Sequence, residues 1–324
     1  MLRLLVIHDV LSMFSSSDRI VIEKASDMEG FEKSFFAGGI AAAAAKTLTA
    51  PLERVVLIMQ TQDVNPRILS GEVKRYKGSL LNCMRRIGIE QGVQALWRGN
   101  LVNVIRYVPS QAFNFAFKDT IYGWFPSPLT IESRFVHHVV AGSIAGSCSF
   151  FVAYPLDYAR LRLASDLGTL VRSFRGLYDV IFTTVQGPGG LWALYRGFGV
   201  SAIGIIPYRG TYFGINDTLA ELNQYQARSD LLGMTTKFSQ AQLAALSATL
   251  VAFPFDTVRR RLQMQSEKSI FDQTYSGTLD CFSVIIRKEG PLALYRGAGA
   301  NAIKTVGSAL VLVAYGEVYP RIRK

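Results

Sequence analysis

Four cationic side chains lie in or beside apolar stretches of this chain, where charged residues are unusual. Lys46 ends a run of alanines, and Arg106 and Lys304 fall within long apolar segments. Arg260 belongs to a run of three arginines. A cation at membrane depth must pair with an anion or face water. Cations that converge on one cavity suit a multivalent anion, and arginine contacts phosphate through two parallel hydrogen bonds. The pattern predicts binding of a phosphorylated small molecule.

Polar residues on the segment around Arg106 follow helical spacing. Asn103, Ser110 and Asn114 lie three or four positions from Arg106 or from one another. A helix would therefore place these side chains on one face, as a polar stripe on an otherwise apolar surface. We expect this stripe to line the cavity that receives the anion.

A second set of charges follows three prolines. In each case an acidic residue comes two positions after the proline, and in two of the three cases a base comes three positions after the acid. The prolines are Pro51, Pro155 and Pro254, the acids are Glu53, Asp157 and Asp256, and the bases are Arg160 and Arg259. An acid and a base three positions apart share a helix face. The spacing predicts three helices, each kinked at its proline, joined by a ring of ion pairs that closes one end of the cavity.

The sequence offers no motif for covalent chemistry. It contains no nucleophile–base pair, no metal-ligand cluster and no phosphate-binding loop. Cys83, Cys148 and Cys281 lack the spacing of a zinc site or a disulfide framework. His137 and His138 are adjacent, so a helix would not place them on one face as metal ligands. We expect a protein that is not an enzyme and that needs no cofactor.

The three prolines mark a tandem repeat. They are 104 and 99 residues apart, and each is followed in the same order by a "YKG", "FRG" or "YSG" element and by "ALWRG" or "ALYRG". Three markers with one period predict three repeats of about 100 residues. We assign them to residues 28–126, 127–225 and 226–324. Residues 1–27 form an N-terminal extension that we expect to be disordered or a weak targeting segment.

Composition and segment length favour a membrane protein. Charged residues make up 18% of the chain, against about 25% in soluble domains. Each repeat holds two apolar segments longer than the ~20 residues that span a bilayer, with a shorter amphipathic segment between them. The predicted fold is all-α, with six transmembrane helices and three short surface helices arranged with threefold pseudosymmetry around a central cavity. The net charge of +11 would also suit a nucleic-acid-binding protein, but the six apolar segments argue against one and against a soluble solenoid.

These markers resemble the mitochondrial carrier family over about residues 30–320. Within that family, "LWRGNLVNVIRYVPSQAFNFAFKD" (96–119), "GIIPYRGTYFG" (204–214) and "PFDTVRRR" (254–261) are similar to the ADP/ATP carriers. The resemblance implies a monomeric, multi-pass antiporter of the mitochondrial inner membrane. Its substrates would be ADP and ATP, exchanged by alternating access to one central site.

The resemblance also implies roles for individual residues. The substrate-binding residues would be Lys46, Arg106, Asn114, Gly204, Ile205, Tyr208, Arg260, Asn301 and Lys304. Gly204, Ile205 and Tyr208 would pack against adenine, with the glycine leaving room for the flat base; helix packing is the alternative explanation of Gly204. The ring of charges, together with Gln60, would be the matrix gate. Glycines at helix starts would bind cardiolipin through free backbone N–H groups, with helix capping as the alternative: Gly78, Gly99, Gly176, Gly197, Gly277 and Gly297.

The sequence departs from the family pattern at both ends of the cavity. Val56 stands where the first repeat should carry its base, so we expect Asp256 to lack a partner in the ring. At the other end a degenerate cytoplasmic gate would retain Asp119 and Asp217 without their bases, and Gly316 replaces the third acid. These changes predict two weak gates.

The departures keep two alternatives to ADP/ATP exchange open. The chain would then carry another nucleotide or a phosphorylated cofactor. Otherwise it would be a proton-leak or scaffolding protein that exchanges nothing. The sequence "RRRLQM" (259–264) and Lys304, where close relatives have arginine, are the reasons for the first alternative.

Overall fold

Helices make up most of the described chain. The computed structural model describes residues 28–124, 131–168, 172–225, 231–266 and 273–307, so the N-terminal extension lies outside the described residues. The first two predicted repeats each contain two long helices with a short one between them, as the sequence predicted, and the described part of the third contains a long helix, a short one and the start of another. The first repeat contains α1 (Met28–Thr61), α2 (Leu80–Gln91) and α3 (Asn100–Gly123), the second contains α4 (Ile131–Ala164), α5 (Leu177–Gln186) and α6 (Phe198–Leu222), and the third contains α7 (Leu231–Met264), α8 (Thr278–Glu289) and α9, described over 298–307.

The long helices have the length that a bilayer requires. Helices α1, α4 and α7 each contain 34 described residues, and α3, at 24 residues, is shorter than these three and than α6. At about 1.5 Å per residue even α3 exceeds the ~30 Å hydrocarbon core. Among the described residues, Val139–Ala164 and Leu232–Met264 are also apolar enough to be candidate spans.

Prolines lie inside the long helices and do not end them. Pro51, Pro155 and Pro254 fall in the C-terminal halves of α1, α4 and α7. Sequence analysis did not single out Pro109 in α3 and Pro207 in α6. Proline removes a backbone donor and frees a carbonyl, which a membrane helix tolerates when neighbouring groups satisfy that carbonyl.

The short helices pack against the C-terminal ends of α1, α4 and α7 through equivalent apolar faces. The buried pairs are Cys83 and Ile87 on α2, Val180 and Thr184 on α5, and Cys281 and Ile285 on α8. The aromatic residue of each "YKG"-type marker is buried in the apolar cluster formed by the short helix of its own repeat: Tyr76, Phe174 and Tyr275. The three markers recur in sequence because they fill the same place in three small cores.

Contacts between repeats close the helices into a ring. Helix α3 packs along α4, and α6 packs along α7, so the first and second repeats each contact the next one through their last long helix. Helix α7 contacts α1, which joins the third repeat to the first, and α1, α4 and α7 contact one another in all three pairs. Helices α1, α4 and α7 therefore meet around one centre.

The glycine of each "RG" marker lies at such a contact. Gly99, Gly197 and Gly297 have φ of +83°, +86° and +91°, which disfavours any other residue. A Cβ would lie 3.1 Å from the Arg160 carbonyl oxygen at Gly99, 3.0 Å from that of Arg259 at Gly197, and 3.5 Å from that of Val56 at Gly297. The positive φ is thus a reason for all three glycines, close approach to the neighbouring repeat is a second reason at Gly99 and Gly197, and the predicted lipid contact of the three stays a prediction.

Candidate functional site

The charged ring is closed between the first and second repeats. Arg160 of α4 forms an ion pair with Glu53 of α1. The Asn103 side-chain amide on α3 donates a second hydrogen bond to the same Glu53 oxygen at 3.0 Å. Asn103, predicted to line the cavity, therefore serves the ring. Both charged side chains are largely buried, so each depends on the other for compensation.

The ring is also closed between the second and third repeats. Arg259 Nη2 of α7 lies 3.7 Å from Asp157 Oδ2 of α4. Arg106 Nη1 lies 3.8 Å from the other Asp157 oxygen. The guanidinium of Arg259 lies 5.4 Å from the centre of the Phe150 ring, in a cation–π contact. Asp157 thus joins the ring to Arg106 of the predicted substrate site.

At the third interface the expectation for Asp256 is wrong. Asp256 has two ionic partners on its own helix, Arg259 and Arg260, each at 2.8 Å. Its partner across the interface is Gln60 of α1, whose amide lies 3.3 Å from Asp256 Oδ2. Bases three and four positions after an acid can both reach it, and Gln60 lies one helical turn beyond Val56. Arg260 therefore pairs with the ring acid Asp256, whereas the sequence predicted that it would bind the substrate.

The predicted cations gather beside the ring. Lys46 lies 5.2 Å from the centre of the Tyr107 ring and close enough to Glu53, Arg106 and Lys304 to interact with them electrostatically. Lys304 in turn interacts with Glu53 and with Arg260. Glu53 is shared by these cations and already pairs with Arg160. The group therefore has an excess of positive charge at partly buried positions, which an anion would relieve.

A cavity of about 330 Å³ lies between α4, α6 and α7, and Lys46, Arg106 and Lys304 are not among the residues that line it. Its walls include the three residues predicted to contact adenine: Gly204, Ile205 and Tyr208. A Cβ on Gly204 would lie 2.8 Å from Phe255 Cβ. Phe255 thus fills the space that was expected for a base, which supports the alternative of helix packing for this glycine. Asp256 and Arg259 also line the cavity, so it reaches the ring.

The remaining polar residues predicted for the site make no contact within the described chain that assigns them to the ring or to a substrate. Asn114 on α3 and Asn301 on α9 are half-buried. The Ser110 hydroxyl donates to the Arg106 carbonyl at 2.7 Å, so this part of the predicted stripe satisfies the backbone. The polar stripe therefore divides its members between the ring and the helix backbone, with Asn103 and Arg106 at the ring acids and Ser110 on the backbone.

The predicted second gate, at the other end, is only partly described. Asp217 is exposed, and the Asn216 amide lies 3.4 Å from its Oδ1. The Asp119 side chain and Gly316 lie outside the described residues. Tyr122, which occupies the position of a base, forms an edge-to-face contact with His137 at 5.1 Å between ring centres. The prediction of a degenerate gate stays a prediction.

Sequence analysis missed a second layer of arginines beyond the ring. Arg98 and Arg196, the arginines of the "RG" markers, donate to backbone carbonyls of the following repeat. Burial lowers the pKa of both guanidinium groups from their ordinary value. Their exact recurrence was visible in the sequence, but periodicity alone does not reveal which part of the neighbouring repeat a long side chain contacts.

Comparison with known proteins agrees with this architecture. The family profile described as "Mitochondrial carrier protein" matches residues 28–128, 132–226 and 231–323. These three matched segments coincide closely with the three predicted repeats. The resemblance found in the sequence is thereby confirmed at the family level.

Individual relatives are similar over nearly the whole chain. An ADP,ATP carrier protein of Parachlorella kessleri is 48% identical over 300 residues, which are 91% of this chain and 86% of the relative. ADP/ATP translocase 4 of Mus musculus is 46% identical over 298 residues, 90% of each chain. ADP/ATP translocase 2 of Bos taurus is 44% identical over 294 residues, 89% of this chain and 96% of the relative.

Proposed function

Since the chain belongs to the mitochondrial carrier protein family, we propose that it exchanges ADP for ATP across a mitochondrial membrane. The observation that carries the proposal is the cation group of Lys46, Arg106 and Lys304 next to a closed ring of inter-repeat contacts. A polyanion site beside a closed barrier is what an alternating-access carrier needs. The relatives named ADP/ATP carriers and translocases support the choice of adenine nucleotides.

The proposal extends to membrane topology. We take the six long helices as transmembrane helices of a monomer in the mitochondrial inner membrane, with α2, α5 and α8 at the membrane surface. The length of the long helices and the amphipathic faces of the short ones support this arrangement. The charged ring would then be the gate on the matrix side.

The geometry suggests how substrate binding would open the ring. Arg106 is close to Asp157, which also contacts Arg259 across the interface. A substrate phosphate bound to Arg106 would compete with Asp157 for the guanidinium. Binding would thereby weaken the ring while it provides compensating contacts, so that substrate lowers the barrier between the two states.

The ring removes one premise of the non-exchanging alternative. That alternative assumed weakened gates at both ends of the cavity, whereas all three inter-repeat positions of this ring carry a polar contact. The other alternative, a different nucleotide or a phosphorylated cofactor, uses the same cations and is separated only by a substrate panel.

Reconstitution in liposomes tests the proposal. Purified protein would be placed in vesicles preloaded with ADP, ATP, other nucleotides or buffer, and uptake of labelled ADP would be followed. We expect uptake only against internal ADP or ATP. Arg106→Ala should reduce the uptake rate by about 10- to 100-fold, because a hydrogen bond to a charged group contributes about 1.5–3 kcal/mol. Arg175→Ala, an exposed cation on the loop before α5, is the matched control and should leave uptake unchanged.

The same panel contains the contrary outcomes. Uptake driven by another nucleotide but not by ADP or ATP would replace the substrate and keep the mechanism. The absence of exchange with every nucleotide would contradict the proposed function.

Bound cardiolipin is part of the proposal. The N-cap glycines of α5 and α8, Gly176 and Gly277, provide no side-chain cap for the first turn, whereas Ser79 caps α2. The backbone N–H groups at the starts of α5 and α8 are therefore suited to a lipid phosphate. Cardiolipin should raise the apparent melting temperature of the purified protein more than phosphatidylcholine does, and equal effects of the two lipids would contradict this part.

A further inference from the structure

Beyond the charged ring, each repeat reaches the next one with two arginines, which we call a clasp. Each clasp consists of one arginine on the first long helix of the repeat (α1, α4 or α7) and the arginine of the "RG" marker. The clasps are Arg54 and Arg98, which reach residues 164–168 of the second repeat, Arg162 and Arg196, which reach residues 264–275 of the third, and Arg261 and Arg296, which reach Asp63 of the first. Each of the three interfaces therefore carries two arginines, although Arg54 lies three positions after its proline and Arg162 and Arg261 lie seven positions after theirs.

The third clasp differs from the others in what it binds. The first two donate to backbone carbonyls and to a glutamine amide oxygen. The third binds the carboxylate of Asp63: Arg261 lies at 3.0 Å and Arg296 forms a second ion pair. Only 6% of the Asp63 side chain is exposed. Twelve positions after the repeat proline, where the first repeat has Asp63, the other repeats have Leu167 and Ser266.

The interface that gains this carboxylate is the one where the ring lacks an ion pair. Between the third and first repeats the ring contact is the amide of Gln60 on Asp256, because Val56 provides no base. The other two ring contacts are between charged groups. Asp63 lies seven residues beyond Val56, where α1 has just ended.

We propose that Asp63 is an ionic latch between the first and third repeats that replaces the ring ion pair missing at Val56, and that its release is a step in opening the ring. The inference rests on the proposed alternating-access function. It assigns the closure of this interface to a residue outside the ring itself.

The surroundings of Asp63 make such a latch reversible. Arg261 and Arg296 also form ion pairs with Glu289, which belongs to their own repeat. Asp63 also pairs with Arg75 of its own repeat. When the repeats separate, each side therefore keeps a counter-charge, and the cost of leaving a charge buried and alone is avoided. A contact with a single acid and a single base would lack this property.

Thiol labelling of purified protein in detergent tests the latch without any transport measurement. Val64→Cys, in a background in which Cys83, Cys148 and Cys281 are replaced by alanine, provides a reporter that is buried between the first and third repeats. Asp63→Asn should increase the rate of maleimide labelling at least tenfold. Adding Val56→Lys to Asp63→Asn should return the rate to within a few-fold of the starting value, because it restores a base to the ring.

Asp166→Asn is the matched control. Asp166 is also buried, but its carboxylate binds Gly168 and Ser173 within its own repeat, so labelling should not accelerate. Unchanged labelling in Asp63→Asn, equal acceleration in Asp166→Asn, or no rescue by Val56→Lys would each overturn the proposal. Nucleotide exchange by the same preparations reports on the proposed function separately, since labelling does not depend on substrate.

Discussion

Three acids occupy the same position in their repeats, yet their partners differ. Glu53 and Asp157 each meet an arginine of the next repeat, whereas Asp256 meets the neutral amide of Gln60. Removing one partner of a buried ion pair leaves an uncompensated charge, which costs far more than the loss of a hydrogen bond between a neutral donor and its acceptor. The three interfaces of the ring are therefore unequal in strength.

This inequality predicts the order of two substitutions. Glu53→Gln should destabilise the protein by about 3–5 kcal/mol, because Arg160 loses its carboxylate. Gln60→Ala should cost only about 1–2 kcal/mol, because Asp256 keeps Arg259 and Arg260. Thermal unfolding of both variants in the same detergent measures the difference. A larger loss in Gln60→Ala would show that the amide, and not the intrahelical arginines, satisfies Asp256.

Sequence reasoning found residues of one kind and missed those of another. Charges such as Glu53 and Arg106 stand out because their neighbours are apolar. The partner of Asp256 was predicted wrongly because a neutral Gln60 gives no charge signal, and because intrahelical bases were not counted as partners. Asp63 was missed because it follows a helix, where an acid is unremarkable until its burial is known.

At the scale of elements, the short helix of the third repeat, α8, places a carboxylate beside two arginines of that repeat. Glu289 at the end of α8 receives hydrogen bonds from Arg261 and Arg296. Burial by itself would raise the pKa of Glu289. The hydrogen bonds from the two arginines and their positive charges lower the pKa by more than burial raises it, so it lies below its ordinary value of 4.5. The ionised carboxylate is therefore favoured by the fold.

This shift predicts an acid-dependent loss of stability. A carboxyl group whose pKa is lower in the folded state stabilises the protein fully above its unfolded pKa, and that contribution is lost as the pH falls through the folded value. Acidification below about pH 4.5 should therefore lower the melting temperature. Glu289→Gln should be less stable at neutral pH and should show a shallower acid dependence. An unchanged acid dependence in the variant would exclude Glu289 as a contributor.

The glycines that start α3, α6 and α9 give a second test at this scale. Gly197 has a positive φ, and an added Cβ would meet the Arg259 carbonyl at 3.0 Å. Gly71 has a similar φ of +80° but open space around it, so Gly71→Ala measures the backbone strain alone. Gly197→Ala should be more destabilising than Gly71→Ala by about 1–3 kcal/mol, the usual cost of overpacking. Equal losses would mean that the repeats can separate locally without cost.

At the scale of the molecule, stability and function compete at the ring. The closed arrangement must be stable enough to prevent leak and weak enough for substrate to open it. Sequence analysis predicted the repeats, the helices and the location of the ring, because these follow from periodicity and apolar length. It could not predict that Asp63 would supply an ion pair at the interface where Val56 leaves the ring without one, because that contact depends on how the segment after α1 packs against the third repeat.

Restoring the missing base should shift this balance. Val56→Lys would add a cationic partner for Asp256 across the third interface, in a chain that still contains Asp63. The apparent melting temperature should rise, and the exchange rate in proteoliposomes should fall by several-fold, because the ring becomes harder to open. If neither quantity changes, the strength of the ring at Val56 does not limit exchange.

The three clasps all point the same way around the ring, from each repeat to the next and from the last back to the first. Such an arrangement is the intramolecular equivalent of a head-to-tail cyclic trimer, in which every subunit offers a donor surface and an acceptor surface. The order of the repeats along the chain is then separate from their order in space. A circularly permuted chain that begins with the second repeat would keep every clasp, whereas deletion of one repeat would leave one donor surface and one acceptor surface facing each other across an unclosed gap.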